Sequence, residues 1–168
     1  GACVETIIIR TLTSEDSVAE ITSLLHAAYA RLGALGFNYT AVDQSEDITR
    51  ERLKDGDCFI ACEGKRLIGT IVYHRHSGGC RWYDLPQVGV IHQLGVLPAG
   101  QSSGVGGRLI EATEARARET GAEELALDTS EGAHHLIEWY QHLGYRIVDH
   151  VQWEGKTYRS VIMSKVLQ

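Results

Sequence analysis

Apolar residues fall at strand spacing in some stretches and helix spacing in others, and turn residues separate the stretches. Thr6–Leu12 is a short Ile-rich run and reads as a strand. Thr13 or Ser14 then offers a cap. Val18, Ile21, Leu25, Ala28 and Leu32 follow at helical spacing until Gly33. Residues 33–44 carry Gly33, Gly36, Asn38 and Asp43 and read as a loop. Ser45 caps a short polar helix with a thin apolar face, which runs to about Lys54 and stops at Asp55-Gly56. Asp57–Cys62 and Arg66–His76 form a hairpin about Glu63-Gly64-Lys65. A loop opened by Ser77-Gly78-Gly79 lasts to Pro86, and Gln87–Val96 is the next strand.

Leu97–Ser103 reads as a loop and Gly104–Thr120 as a helix stopped by Gly121. Glu124–Thr129 is a strand. A helix over 131–143 places Ala133, Leu136, Ile137, Tyr140 and Leu143 on one face, and Gly144 ends it. Tyr145–Trp153, a Glu154-Gly155-Lys156 turn and Tyr158–Leu167 make a closing hairpin. The order β-α-α-β-β-β-α-β-α-β-β predicts a mixed α/β fold, with antiparallel hairpins flanking a βαβ centre. There is no repeat, linker or low-complexity tract, so residues 1–168 are expected to form one domain.

Composition narrows the function classes. A chain of 168 residues buries roughly 70% of its unfolded surface and needs neither metal nor disulfide to hold a core. With 43% hydrophobic and 23% charged residues, disorder is excluded. No apolar run nears the ~18 residues of a membrane span. No basic stretch precedes an apolar one at the start, so a cytoplasmic protein is expected. The net charge of −6 shows no basic footprint for nucleic acid. Cys3, Cys58, Cys62 and Cys80 form no CxxC pair and read as reduced thiols. His74, His76 and Cys80 lack a clear fourth ligand and read as a solvated strand end, so no metal is expected.

The informative stretch is 90–108, VIHQLGVLPAGQSSGVGGR, where a strand leads through a short loop into a helix. Four N–H groups at a helix start have no internal partner, and the dipole is positive there. Glycines let an anion approach, so the segment suits a phosphate or pyrophosphate; alternatively the glycines serve helix-on-sheet packing. Counting excludes a P-loop, because five residues after Gly100 stands Val105. It also damages a dinucleotide fingerprint, because Leu109 stands where the third Gly or Ala belongs.

Gln101, Gly104 and Gly106 fit Gln-x-x-Gly-x-Gly after a strand ending Leu94-Gly95-Val96. In this the chain resembles the GNAT superfamily of N-acetyltransferases. A strand ending at Asp128-Thr129, a helix containing Tyr140, and the closing Tyr140-Gln141-His142-Leu143-Gly144-Tyr145 resemble the family's second half. The resemblance is specific over 88–150 and rests on element order over 1–87.

The resemblance implies a GNAT-like mixed sheet of about seven strands with flanking helices. It implies acetyl-CoA as co-substrate and direct transfer to a primary amine of a small molecule, a peptide N-terminus or a Lys. Backbone groups of Leu94, Gly95 and Val96 would pair with the pantetheine arm. Gln101, Ser102, Ser103, Gly104, Val105, Gly106 and Gly107 would hold the pyrophosphate. Tyr140 would lie near the thioester sulfur. Gly107 and Ala133 depart from the family pattern, standing where a longer, often basic residue and an Asn are common. A homodimer is common among such proteins. The alternative function is a CoA- or nucleotide-binding regulatory module without catalysis.

Two residues compete as general base. His92 precedes Leu94 by two positions, and its ordinary pKa of ~6.5 suits proton transfer near neutrality. Asp128 ends the following strand and otherwise serves as a helix cap. Trp82, Tyr83 and Pro86, with Phe37 and Tyr39, lie in loops expected to flank the acceptor pocket.

Overall fold

In the computed structural model, which describes residues 6–168, strands β1 (Ile7–Thr11), β2 (Asp57–Glu63), β3 (Arg66–His74), β4 (Val88–Val96), β5 (Glu124–Ser130), β6 (Arg146–Val151) and β7 (Ser160–Val166) build one sheet. Its order is β1-β2-β3-β4-β5-β7-β6. All neighbours are antiparallel except β4 and β5, which run parallel as a βαβ crossover requires. The mixed α/β expectation holds, with seven strands.

Helices cover both faces. On one face lie α4 (Val105–Glu119) and α5 (His134–His142). Val105, Leu109, Ile110 and Ala117 of α4 share a core with Ile71, Tyr73, Ile91, Leu125, Leu127 and Met163 of the strands. A Cβ on Gly69 would meet Leu109 at 3.0 Å, so β3 lies close against α4. On the other face lie α1 (Val18–Ala34), α2 (Thr40–Asp43) and α3 (Glu46–Leu53), together with the loop between β3 and β4. Ile21, Leu24 and Leu25 of α1 are buried there, and a Cβ on Gly95 would meet Leu25 at 3.0 Å. Tyr83 of the loop packs on Val88, Val90, Ala126 and Ile162.

Ser17 and Ser45 cap α1 and α3 by accepting from the N–H groups of Glu20 and Ile48. Several boundaries shift from the sequence reading. The 33–44 loop contains α2, and Pro98–Ser103 is a 3-10 helix rather than a loop. β3 stops at His74, leaving His76 outside it. α5 starts only at His134, because the hydroxyl of Ser130 and its carbonyl hold Gly132 and Ala133 in a turn. The closing connection is wider than a three-residue turn. The Gln152 amide donates to the carbonyls of Trp153, Lys156 and Tyr158 and organises the chain between β6 and β7. Cys58, Cys62 and Cys80 are free thiols; Cys3 lies outside the described residues.

Candidate active site

The parallel pair β4–β5 supplies the opening. Only Val88, Gly89 and Val90 pair with Glu124, Leu125 and Ala126; beyond them the strands diverge. β4 bulges in the same region, where Thr70 pairs with Gly95 and Val72 with His92. The extra length is absorbed at Gln93, a buried non-glycine residue in the left-handed region at φ 59°.

Two tyrosines bind the free edges of this split. The Tyr29 hydroxyl donates to the Leu94 carbonyl at 2.6 Å. The Tyr39 hydroxyl lies 2.9 Å from Thr129 Oγ1 and accepts from the Ser130 N–H at 3.0 Å. Their rings lie 5.5 Å apart, and Tyr158 lies 5.0 Å from Tyr39. The Phe37 ring packs beside them, 6.3 Å from Tyr39 and 5.9 Å from Tyr158.

His92 and Asp128 flank the split. Val90 and Ala126 are paired and share one core, so alternation carries His92 and Asp128, each two residues on, to that same face. Tyr83 connects them. Its hydroxyl donates to Asp128 Oδ1 at 2.6 Å, and its ring lies 6.4 Å from the His92 ring. The Trp153 indole donates to Asp128 Oδ2 at 3.1 Å. Burial raises the Asp128 pKa above the usual carboxylate value, against the pull of these two donors and of Arg52 and Lys156.

His92 moves the other way. Burial, then the charge of Arg52 and the neighbouring His74, push its pKa down to about 3. Its Nε2 lies 3.0 Å from Ser77 Oγ, and its ring is 5.1 Å from that of His74. At neutral pH it is an uncharged imidazole that holds a proton weakly. A stability effect follows from the sign of the shift. Between the unfolded pKa of ~6.5 and the folded one, the unfolded chain binds a proton that the folded chain refuses. Stability therefore falls as pH drops through this window, by up to about 1.4 kcal/mol per pH unit from this group. Denaturant titrations from pH 7 to pH 4 should show a shallower loss in His92→Gln; parallel curves for the two proteins would refute the buried neutral state.

The start of α4 faces open space. Its N-cap is Gly104 at φ 79°, with no side-chain cap and no acidic residue in the first turn. A Cβ at Gly104 or Gly107 would meet nothing within 4 Å, whereas one at Gly106 would meet Trp139 at 3.0 Å. The glycines divide accordingly. Gly104 and Gly107 leave the helix start open to a ligand, and Gly106 admits Trp139 against the helix. This geometry fits a pyrophosphate on the free amides at the α4 start, residues 105–107, with the preceding 3-10 turn beside it. Gln101 has a different observed role: its amide donates to the Val96 carbonyl at 3.0 Å and braces the strand end. Ser103 Oγ donates to the Gly100 carbonyl at 2.7 Å and braces the 3-10 turn. The carbonyls of Leu94 and Val96 each accept a side-chain donor on this side, and a carbonyl has two lone pairs.

Tyr140, on α5, is 8% exposed, and its ring lies 5.0 Å from Trp139 and 6.1 Å from Tyr145. Burial pushes its pKa well above 10, with Tyr29, Tyr39 and Asp128 adding to the shift. The sequence reading missed Tyr29, Arg52, Trp153, Lys156 and Tyr158. Tyr29 had a weak signal, a large polar aromatic beside the apolar stripe of its helix. The others come together only through tertiary contacts.

The family model described as Acetyltransferase (GNAT) family matches residues 17–145. The uncharacterized N-acetyltransferase YvbK of Bacillus subtilis is 30% identical over 110 residues, covering 64% of this chain and 66% of that protein. The match thus spans just under two thirds of that relative's length. Among solved structures, a GNAT family acetyltransferase from Elizabethkingia anophelis with acetyl-CoA bound is similar at TM-score 0.71 and 20% identity, covering 96% of this chain and 98% of that one. A Bacillus subtilis acetyltransferase in complex with CoA is similar at TM-score 0.71 and 22% identity, covering 97% of this chain and all of its own. At these identities the two structures share the fold.

Proposed function

The chain belongs to the GNAT acetyltransferase family, and on that premise we propose that it transfers the acetyl group of acetyl-CoA directly to a primary amine. One observation carries the reading: the diverging β4–β5 pair opens between an uncapped helix start and two titratable side chains. The acetyl-CoA and CoA held by the two similar structures support the choice of co-substrate. Residues 1–168 act as one catalytic unit in this reading.

In the transfer, the amine nitrogen bonds to the thioester carbonyl carbon, the C–S bond breaks, and the amine's proton leaves. Asp128 takes that proton. Its raised pKa makes it a stronger base than an exposed carboxylate, and Tyr83 and Trp153 hold both of its oxygens in place. His92, neutral across the split, is the second acceptor. The amides of Ser102, Ser103, Gly104, Val105, Gly106 and Gly107 bind the pyrophosphate. The backbone of Leu94, Gly95 and Val96 offers an unpaired strand edge to the pantetheine arm. Tyr140 protonates the departing thiolate. Burial keeps its phenol protonated, and the same desolvation raises the proton affinity of the sulfur it serves.

The test is release of free CoA thiol across a panel of amines. A binding module without catalysis would be stabilised by acetyl-CoA and release no thiol with any of them. Tyr140→Phe keeps the ring and removes the donor. Turnover should fall on the order of 10²-fold with acetyl-CoA affinity retained, measured where chemistry limits the rate. Full activity in that variant would leave Tyr140 as packing alone.

A further inference from the structure

Arg52 is a charge whose direction its own helix does not explain. It sits in the last turn of α3, where a cation suits the helix dipole without needing burial. Yet its side chain turns inward. Its Nη1 donates to Gln44 Oε1 at 2.9 Å, and Gln44 is 2% exposed. Among the described residues no carboxylate lies within 4.0 Å of it, whereas Arg10, Arg50, Arg81, Arg116, Arg146 and Arg159 all have one. Burying a guanidinium with a neutral amide as partner costs free energy that a carboxylate would offset.

The network behind Arg52 leads to the split. Gln44 Nε2 donates to Thr49 Oγ1 and to Gln93 Oε1, each at 2.8 Å. Gln93 is the left-handed residue of the β4 bulge, and its own Nε2 is buried without an acceptor. Strain and an orphaned donor both sit where this network meets the diverging strand, a pattern associated with functional sites.

A second cation lies on the same side. Lys156 Nζ donates to the Asn38 carbonyl at 2.8 Å and to Thr40 Oγ1 at 3.0 Å, with no carboxylate within 4.0 Å among the described residues. Burial lowers its pKa and Arg52 lowers it further, against the pull of Asp43 and Asp128. Burial lowers the Arg52 pKa too, opposed by Tyr29, Asp128 and Tyr158. The contacts of the two cations bracket one short helix: Lys156 binds Thr40 at the start of α2, Arg52 binds Gln44 at its end, and Tyr39, just before Thr40, reaches with its hydroxyl to Thr129 and Ser130, beside Asp128.

We propose that the acceptor is a small amino acid-like zwitterion whose carboxylate is held by Arg52 and Lys156 while its amine meets Asp128. The inference rests on the acetyl-transfer reading for the identity of the amine. The anion site stands on the side-chain arrangement alone. Arg52, fixed by Gln44 on one nitrogen, presents its remaining N–H donors to a carboxylate. At a peptide N-terminus and in a chain Lys the α-carboxyl is tied up in a peptide bond, so free amino acids are favoured over chain acceptors.

The experiment uses matched pairs of each free amino acid and its decarboxylated amine, such as phenylalanine with phenethylamine and lysine with cadaverine. Calorimetric binding is measured in the presence of CoA, and thiol release with acetyl-CoA. At least one carboxylated member should bind about 10-fold or more tighter than its amine. Arg52→Gln should abolish that preference, and Lys156→Gln should reduce it, while affinity for the decarboxylated amine stays constant. Lys156→Gln serves as the second variant because it leaves the Gln44 network untouched. If every carboxylated member binds no better than its amine, or if both variants keep the preference, the anion site is refuted. Thiol release from decarboxylated amines alone would also refute it and leave acetyl transfer standing. An intact binding preference without thiol release from any pair would support the anion site and overturn the transfer reading.

Discussion

Asp128→Asn is expected to lower turnover by about 10²-fold to 10⁴-fold, the range of a positioned general base, with little change in acetyl-CoA affinity. The substitution keeps the shape of the side chain. Its carbonyl oxygen still accepts from the Tyr83 hydroxyl. Its amide, however, cannot accept from the Trp153 indole, so that N–H loses a buried partner at a cost of about 1–3 kcal/mol. Melting temperature therefore falls modestly and is measured alongside.

The pH profile separates catalysis from stability. Below its pKa the carboxyl is protonated and takes no proton, so turnover should rise with pH through that ionisation. Burial places the limb above the usual carboxylate value of ~4. The asparagine variant should lose the limb. His92→Gln should keep it, because His92 is already deprotonated at neutral pH. Loss of the limb in His92→Gln, with Asp128→Asn retaining it, would transfer the base role to His92.

The second large effect concerns the helix start. Wild-type protein at acetyl-CoA concentrations near 100 times the dissociation constant should gain about 2.7 kcal/mol of stability. Gly104→Asp should remove that gain. A side chain at Gly104 meets no protein atom within 4 Å, so it projects into the space where the amides would meet an anion. A carboxylate there competes for the same donors and repels a phosphate. Because Gly104 has φ 79°, any side chain adds backbone strain. Gly104→Asn isolates this contribution: it tolerates the left-handed region as well as Asp does and carries no charge. The asparagine variant should keep part of the ligand-induced shift. Equal shifts in wild type and Gly104→Asp would remove the pyrophosphate cradle from this helix.

These two residues illustrate how far the chain is legible before it folds. Gly104 is readable because its requirement is local. A strand, a short turn and a helix start are adjacent in sequence, and only backbone conformation is at stake. Asp128 is half readable. Alternation from Ala126 assigns its face, but the Tyr83 and Trp153 donors that hold it are separated from it by 45 and 25 positions. Gly106 shows the converse. In sequence it belongs with the phosphate-loop glycines, yet its space is taken by Trp139 of α5. Gln101 likewise matches the motif by spacing, while its side chain turns back to the strand end.

Hydrophobic periodicity and turn residues by themselves determined the order of the strands and of all helices but α2, and the helix start after β4. Each depends on neighbours within a few residues, where backbone geometry and side-chain alternation dominate. The tertiary structure decided the split between β4 and β5, the left-handed Gln93, the tyrosine hydroxyls on both free edges, and the inward turn of Arg52. Strand divergence depends on what packs above and below the sheet. The position of Arg52 depends on Gln44 and Gln93, and the Gln44–Gln93 contact spans 49 positions. No local pattern encodes such a contact, because burial of a charge is settled by the whole set of groups that surround it.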